Sequence, residues 1–248
     1  MADTAVIIQA RMASTRLPGK ILLDLGGRTI LHWVIARCQA IKAADAVCCA
    51  IPDSPACDPI EAEARRLGAV VFRGSENDVL ARYAGAARML QADTILRVTS
   101  DCPLIDPAIC DAVLQLRQAE NADYACNNMP AAFPHGLDCE AFTYHILAEA
   151  EKQARLPSER EHVTPWMRNT PDLRRVSLQG PAGDSVDHRW TLDYPEDLAF
   201  LRELHRRAPI IEAAGMNDIL HILAAHPDLS QLNSQHRHAS RPTHLTTP

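Results

Sequence analysis

Short apolar runs alternate with segments of helical periodicity along the first part of the chain. The runs are bounded by turn-forming residues, as is typical of buried strands, and they cover residues 5–9, 46–51, 69–72 and 93–98. Between them, apolar positions recur at helical spacing over residues 30–41, 60–67 and 77–91. Strands that alternate with helices in this way predict βαβ units and a largely parallel sheet.

The pattern changes in the second part of the chain. Asp106 is suited to cap a helix over residues 106–119, with Pro107 in its first turn. Two short alternating segments then flank an irregular loop, which predicts an antiparallel insertion over residues 122–142. We predict further helices over residues 144–155, 158–169, 195–207 and 217–225, and strands over residues 172–179 and 187–192. Residues 228–248 are polar and aperiodic, which predicts a disordered tail.

A basic loop follows the first predicted strand. It carries Arg11, Arg16 and Lys20, with Ser14 between the arginines and Gly19 beside the lysine. Fixed positive charge, hydroxyl donors and a glycine that admits close backbone approach are suited to binding a polyphosphate. The loop matches neither the Walker motif, since isoleucine follows the lysine, nor the GxGxxG dinucleotide motif. A solvated basic loop after an edge strand remains the alternative.

Two aspartates end apolar segments just before predicted helices. Asp101 follows the fourth predicted strand, and Asp193 follows the strand predicted over residues 187–192. Because ligands of parallel sheets bind beyond the carboxyl ends of the strands, the basic loop and Asp101 could share one edge. Magnesium prefers a few carboxylates together with phosphate oxygens, so the aspartates could hold this ion. The alternative is that each aspartate only caps a helix.

Composition narrows the class of protein. The chain has 248 residues, 47% hydrophobic and 23% charged, which suits one α/β domain. A net charge of −6 gives no general electrostatic reason to bind nucleic acid. None of the eight cysteines forms a CxxC pair, so we expect them to be reduced and mostly buried in a cytoplasmic protein. We expect no signal peptide and no segment that crosses a bilayer.

Six sequence blocks resemble those of one enzyme family, in the family's order. They are AVIIQARMASTRLPGKIL, GSENDVLARY, RVTSDCPLID, FPHGLDCEAF, EREHVTPWM and WTLDYPEDL. The family is that of the cytidylyltransferases of the spore coat polysaccharide biosynthesis protein F type, related to the acylneuraminate and 3-deoxy-manno-octulosonate cytidylyltransferases. The resemblance implies an α/β, three-layer Rossmann-like nucleotidyltransferase fold, a mostly parallel mixed sheet with an antiparallel insertion. The nucleotidyltransferase domain would cover residues 1–227.

The resemblance also implies a reaction. CMP would pass from CTP to a sugar acid or similar hydroxy acid, with release of pyrophosphate, for the biosynthesis of surface polysaccharide or glycan. Arg11, Arg16 and Lys20 would act as catalytic residues on the β- and γ-phosphates. Asp101 and Asp193 would bind Mg²⁺, as the matching positions do in the related enzymes. Such relatives often form homodimers through the insertion, where we expect an apolar patch of Met129, Ala131, Ala132 and Phe133.

The substrate pockets are less sharply defined by the sequence. We predict that the nucleotide is bound by Ala10, Arg11, Ser14, Arg16, Lys20, Ser75, Asp78, Arg82 and Thr99. Asp78 and Arg82 stand at i, i+4 and could instead pair on a helix surface. We predict that the acceptor is bound by Asn127, Asp138, Glu140, Glu161 and His162, an acidic lining suited to hydroxyls or an amino group. Arg160 and Arg189 are candidates to bind a substrate carboxylate.

Two other functions remain open at this level. A nucleotide-sugar-dependent glycosyltransferase would hold its metal on a similar sheet, commonly with an Asp-x-Asp motif, where this chain has Thr99, Ser100 and Asp101. A non-catalytic nucleotide- or sugar-binding module would use the same pocket without turnover. Release of pyrophosphate from CTP separates the cytidylyltransferase from both.

Overall fold

The computed structural model describes residues 2–181, 184–209 and 214–239. The strands are β1 Thr4–Gln9, β2 Asp24–Leu25, β3 Arg28–Thr29, β4 Ala46–Pro52, β5 Val70–Gly74, β6 Thr94–Thr99, β7 Tyr124–Cys126, β8 Glu140–Thr143 and β9 Arg175–Ser177. The helices are α1 Ile30–Gln39, α2 Asp58–Arg66, α3 Val79–Leu90, α4 Pro107–Ala119, α5 Tyr144–Gln153, α6 Pro157–His162, α7 Pro165–Asn169, α8 Pro195–Arg207 and α9 Met216–Ala225.

In this part of the chain, seven strands form one mixed sheet, in the order β5-β4-β1-β6-β8-β7-β9. The first four are mutually parallel and β1 lies among them, as the alternating pattern predicts. β8 runs antiparallel to both β6 and β7, while β9 runs parallel to β7. The predicted antiparallel insertion therefore exists, and it extends the main sheet. β2 and β3 form a separate hairpin.

Helices cover both faces of the sheet, which makes three layers. On β1, Val6 and Ile8 pack with α1, α2 and α4, whereas Ile7 packs with α3 and α5 on the opposite face. This division follows from the alternation of side chains along a strand. A third apolar cluster joins α8 and α9 to the start of α1. At α4, Asp106 caps the helix by accepting from the backbone N–H groups of Ala108 and Ile109, as predicted.

The helix predicted over residues 158–169 is wrong as a single element, because the structure has α6 and α7 in its place. Val163 separates the two helices with a φ of +71°, outside the right-handed helical region. Pro165 follows at the first position of α7, where its missing N–H costs no hydrogen bond. The proline is therefore compatible with a new helix but not with the middle of a longer one.

The strand predicted over residues 187–192 is also wrong. The backbone N–H of Trp190 donates to the carbonyl of His135 at 2.6 Å, and that of Leu192 donates to the carbonyl of Asp101 at 2.8 Å. The segment makes only an isolated bridge, between His135 and Arg189. Its apolar residues Trp190 and Leu192 are buried in the cluster formed with α8 and α9, outside the sheet. The strand predicted over residues 172–179 is confirmed in a shorter form as β9.

The structure also revises two predictions about the surface of the protein. Residues 228–239 pack on the domain, with Leu229 fully buried and Asn233 2% exposed, which corrects the prediction of disorder there. The remainder of the predicted tail, residues 240–248, lies outside the described residues. Met129 and Phe133 are buried within the chain, so they cannot supply the predicted apolar patch.

All eight cysteines are buried and free. Among the described helices, none is both long and apolar enough to span a membrane.

Candidate active site

The basic loop leaves β1 at the carboxyl edge of the parallel strands. The N–H of Ala10 donates to the carbonyl of Ala50 at the end of β4, and the N–H of Ser100 donates to the carbonyl of Gln9. The loop closes where the N–H of Gly19 donates to the carbonyl of Met12 at 3.3 Å. Gly19 has a φ of +66°, a conformation that glycine adopts without strain. A 3₁₀ turn, Lys20–Leu22, follows and directs Lys20 back toward the sheet edge.

Asp101 and Asp193 lie far apart in the sequence but meet at this edge. The carbonyl of Asp101 accepts hydrogen bonds from the N–H of Leu192 at 2.8 Å and from the hydroxyl of Thr191 at 3.2 Å. These bonds hold the segment before α8 against the end of β6. The two aspartates therefore lie together, as the sequence suggested, but the segment that leads to Asp193 is a loop and not the predicted strand.

Lys20 joins the two aspartates. Its Nζ lies 2.8 Å from Oδ2 of Asp101, 2.8 Å from Oδ1 of Asp193 and 2.6 Å from the carbonyl of Leu192. These acceptors match the three donors of an ammonium group. Burial opposes the charged form of Lys20, but the two carboxylates outweigh it and raise its pKa. Burial likewise favours neutral Asp101, but the charge of Lys20 outweighs it and lowers the pKa of Asp101 to about 2.

Asp193 is held from behind by a buried ion pair. The guanidinium of Arg189 bonds both oxygens of Asp197 at 2.9 Å, and its Nη2 lies 3.3 Å from Asp193. Asp197 also accepts from the N–H groups of Asp193 and Tyr194, at 2.9 and 3.0 Å. Arg16 approaches Asp193 from the cavity side, at 3.1 Å. Asp193 is therefore fixed by its backbone and by Arg189, while its other carboxylate oxygen contacts Arg16 and Lys20 of the basic loop.

A cavity of about 210 Å³ opens beside this group. It is lined by these predicted residues: Ala10, Arg11, Ser14, Arg16, Lys20, Arg82, Thr99, Asp101, Glu161, His162 and Asp193. Arg11 and Arg16 remain about half exposed, at 51% and 42% of their side chains. The cavity therefore has a strongly basic wall on the loop side, with two carboxylates at its edge.

Ser75 and Asp78 were predicted in the nucleotide site but do not line this cavity. Asp78 caps α3 by accepting from the N–H of Ala81 at 2.9 Å, and it pairs with Arg160. The hydroxyl of Ser75 accepts from the N–H of Asp78. The surface pair of Asp78 and Arg82 is not formed, because Nη1 of Arg82 donates instead to the carbonyl of Ser75 at 2.6 Å. Arg82 is 2% exposed, and burial lowers its pKa.

Three of the predicted acceptor residues also lie away from the cavity. The amide of Asn127 bridges the backbone of Leu137 and Cys139, which ties the loop before β8 to the end of β7. Asp138 accepts from the N–H of Gly136 at 3.0 Å within the same loop. These contacts define the shape of the loop, and the role of both residues in acceptor binding stays a prediction. Only Glu161 and His162 of this predicted set line the cavity.

Glu140 belongs to a buried cluster on β8 and is 1% exposed. One of its oxygens lies 2.5 Å from Arg97. The other accepts from Arg168, from the hydroxyl of Tyr124 and from the hydroxyl of Thr164. Burial favours the neutral form, but the two arginines outweigh it and lower the pKa of Glu140 to about 2. Its oxygens are fully used inside the protein.

Sequence reasoning missed Gln9 and Tyr194 as site residues. Gln9 lines the cavity at the end of β1. Tyr194 follows Asp193, and its ring lies 4.8 Å from Cζ of Arg16, whose Nη1 donates to the tyrosine hydroxyl at 3.2 Å. The ring of His236 stacks on Tyr194 with 3.8 Å between centroids. Both missed residues stand inside blocks that the sequence had already singled out, next to residues that it had selected.

Comparison with known proteins adds to this geometry. The profile of the family described as Cytidylyltransferase matches residues 5–220. The spore coat polysaccharide biosynthesis protein SpsF of Bacillus subtilis is 32% identical over 235 residues, covering 92% of this chain and 97% of that protein. The 3-deoxy-manno-octulosonate cytidylyltransferase of Anaeromyxobacter dehalogenans is 34% identical over 122 residues, 48% of this chain and 49% of the enzyme. A cytidylyltransferase structure from Leptospira borgpetersenii superimposes with a TM-score of 0.87 at 33% identity, covering 92% and 97% of the two chains.

Proposed function

Because this chain belongs to the cytidylyltransferase family, we propose that it transfers CMP from CTP to a hydroxyl of a sugar acid, or of a similar hydroxy acid. Pyrophosphate is the second product, and the acceptor's use is in the biosynthesis of surface polysaccharide or glycan. The observation that carries the proposal is the meeting of Lys20, Asp101 and Asp193 at the edge of a basic cavity. Family membership favours this reaction over transfer from a nucleotide sugar.

The basic loop supplies the charge that the reaction requires. The acceptor hydroxyl oxygen forms a bond to the α-phosphorus, the bond from that phosphorus to the bridging oxygen breaks, and the hydroxyl proton is lost. Such a transfer depends mostly on alignment and on neutralising charge. Arg11 and Arg16 are exposed to the cavity and would bind the β- and γ-phosphates. Lys20 would stabilise the negative charge of the departing pyrophosphate.

The donor set at the cavity edge fits magnesium. Asp101 and Asp193 already share one cationic group, Lys20, at 2.8 Å from each carboxylate. Among the described residues, no group of three or more His, Cys, Asp or Glu side chains could hold a metal alone. Phosphate oxygens would therefore complete the coordination, which is how magnesium is commonly bound. When bound, the ion would neutralise phosphate charge and polarise oxygen.

The acceptor side of the cavity has a different character. Glu161 and His162 line it, and Glu161 is 52% exposed and lies 3.9 Å from Arg11. Arg160 and Arg189, the candidates for a substrate carboxylate, are engaged with Asp78 and Asp197. We therefore propose that Glu161 and His162 read hydroxyl or amino groups of the acceptor. A carboxylate of the acceptor would instead be bound by the basic loop or by the metal.

The test is pyrophosphate release with Mg²⁺, each ribonucleoside triphosphate, and a panel of 2-keto sugar acids and simpler hydroxy acids. We expect release with CTP, and a loss of at least about 100-fold in Asp101→Asn and in Asp193→Asn, because each removes a metal-binding carboxylate. Glu120→Gln is the matched control, since this carboxylate is exposed and pairs with Arg174 at the surface. Absence of binding to every triphosphate would refute the proposal.

We also propose that the protein is a cytoplasmic homodimer, as the family resemblance implies. The eight free, buried cysteines are compatible with a reducing compartment. Measurement of the mass in solution tests this proposal, and a mass equal to that of a monomer would refute the dimer.

A further inference from the structure

Gln9 ends β1 between the cavity and the buried cluster of Glu140. Side chains alternate along a strand, so Gln9 shares a face of the sheet with Ile7, which packs against α3 and α5. On the neighbouring strand β6, Thr99 is its partner in register. Gln9 is partly exposed and lines the cavity, yet nothing in the proposed reaction so far uses its side chain.

The orientation of the Gln9 amide follows from its neighbour. Nη2 of Arg97 lies 3.1 Å from Oε1 of Gln9, and Nη1 of the same arginine lies 2.5 Å from Glu140. Arginine has donors and no acceptor, so the atom of Gln9 that faces it must be the oxygen. The amide nitrogen, Nε2, therefore points away from Arg97. No described residue accepts a hydrogen bond from Nε2, which leaves its two N–H groups available at the cavity.

A second donor without a partner lies on the same side. Arg82 extends from α3 and lines the cavity, and its Nε is buried with no hydrogen-bond partner among the described residues. Its Nη1 is engaged with the carbonyl of Ser75. This nitrogen has almost no accessible surface, so a ligand in the cavity would meet the part of the Arg82 side chain that lines the cavity rather than Nε. Val79, also from α3, adds an apolar contact to this wall.

We propose that Gln9 determines the choice of base, and that Nε2 donates a hydrogen bond to the acceptor edge of cytosine. The inference rests on the proposed function, since it concerns the nucleotide of that reaction. N3 and O2 of cytosine are adjacent acceptors, which match the donors of Gln9 and Arg82. In uracil N3 carries a hydrogen, so a donor aimed at N3 disfavours UTP. Arg97, held by Glu140, acts as a positioning residue because it prevents the amide from turning.

The experiment measures binding of CTP and UTP, with Mg²⁺, to the full chain by calorimetry. In Gln9→Leu, we expect CTP to bind about 10-fold more weakly, since one hydrogen bond is lost, while UTP binding changes little. The ratio of the two affinities should therefore fall by about 10-fold. In Gln9→Glu, which keeps the shape but replaces the donor with an acceptor, the ratio should fall at least as far. Gln39→Leu is the control, because Gln39 bonds the carbonyl of Leu67 at the surface.

Each other outcome has a defined meaning. If wild type binds CTP and a folded Gln9→Leu variant keeps the same ratio of CTP to UTP affinity, this inference is wrong and the proposed function stands. If the variant changes only the KM for the acceptor, Nε2 faces the acceptor and the assignment to the base is wrong. If wild type binds no triphosphate, the proposed function itself fails. Arg97→Lys tests the positioning role, and we expect the ratio to fall while the affinity for inorganic pyrophosphate is retained.

Discussion

Two clusters of carboxylates and cations lie at neighbouring strand ends, and they differ in what surrounds them. Asp101 contacts Lys20 at the cavity and is 26% exposed, whereas Glu140 contacts Arg97 and Arg168 in the interior and is 1% exposed. The pKa of each carboxyl is lowered to about 2 by its cations, against the opposing effect of burial. A lowered pKa therefore does not distinguish a carboxylate at the cavity from one in the interior.

Access to the cavity is what distinguishes them. Lys20 and Arg16 pair with Asp101 and Asp193 and both cations line the cavity, so in the proposed reaction they would be accessible to phosphate groups. In the interior, both oxygens of Glu140 accept hydrogen bonds from the protein, and the residue is 1% exposed. Gln9 connects the two clusters, since it accepts from Arg97 and lines the cavity.

The substitution with the largest expected effect is Glu140→Gln, which tests the contrast between the cavity and the interior. We expect the free energy of unfolding to fall by about 4 kcal/mol, because one buried charge partner is removed and two arginines are left without it. The folded variant should keep its kcat at saturating CTP within a few-fold, while the weakened hold on Arg97 is expected to lower the affinity for CTP through Gln9. Urea unfolding and pyrophosphate release measure the two quantities, with Glu120→Gln as a control that should change stability by less than about 0.5 kcal/mol. A variant that is fully stable but inactive would place Glu140 in the catalytic site.

Lowering the pH should also distinguish the stability of wild type from that of Glu140→Gln. The pKa of Glu140 falls from 4.5 to about 2 on folding, so its contribution to stability is present above pH 4.5 and is lost as the pH falls toward 2. This contribution is about 3 kcal/mol at neutral pH. We expect wild type to lose stability between pH 5 and 3, and Glu140→Gln to lose clearly less. Urea unfolding at a series of pH values checks this, and parallel losses in both proteins would contradict it.

The smallest expected effect concerns Tyr194→Phe. The change removes the hydroxyl that accepts from Arg16, but keeps the ring beneath the guanidinium. Because this bond is exposed and Arg16 retains Asp193, we expect the KM for CTP to rise about 3-fold, with kcat and stability unchanged. Tyr144→Phe, outside the cavity at the start of α5, is the control. A fall in kcat without a change in KM would show that Tyr194 acts in the chemical step.

Much of the candidate site followed from local sequence. The basic loop and Asp101 were expected together because the carboxyl ends of parallel strands share one edge, and Asp193 was added as the second carboxylate that could hold magnesium. Of the residues predicted for the acceptor, Asp138 is bonded within its own loop and Glu140 is buried in the interior, so neither lines the cavity. Spacing along the chain reports which face of a strand a residue occupies, but not what covers that face.

The sequence alone was sufficient to predict the α/β class, the order of most strands and helices, and the basic loop. Periodicity and turn residues act over short distances, so these features are encoded locally. Only the tertiary structure decided which carboxylate meets solvent, how Gln9 is oriented and that residues 228–239 pack against Asp197 through Asn233. These features depend on contacts between segments far apart in the chain. Exposure and hydrogen-bond partners are properties of such contacts, so no local pattern encodes them.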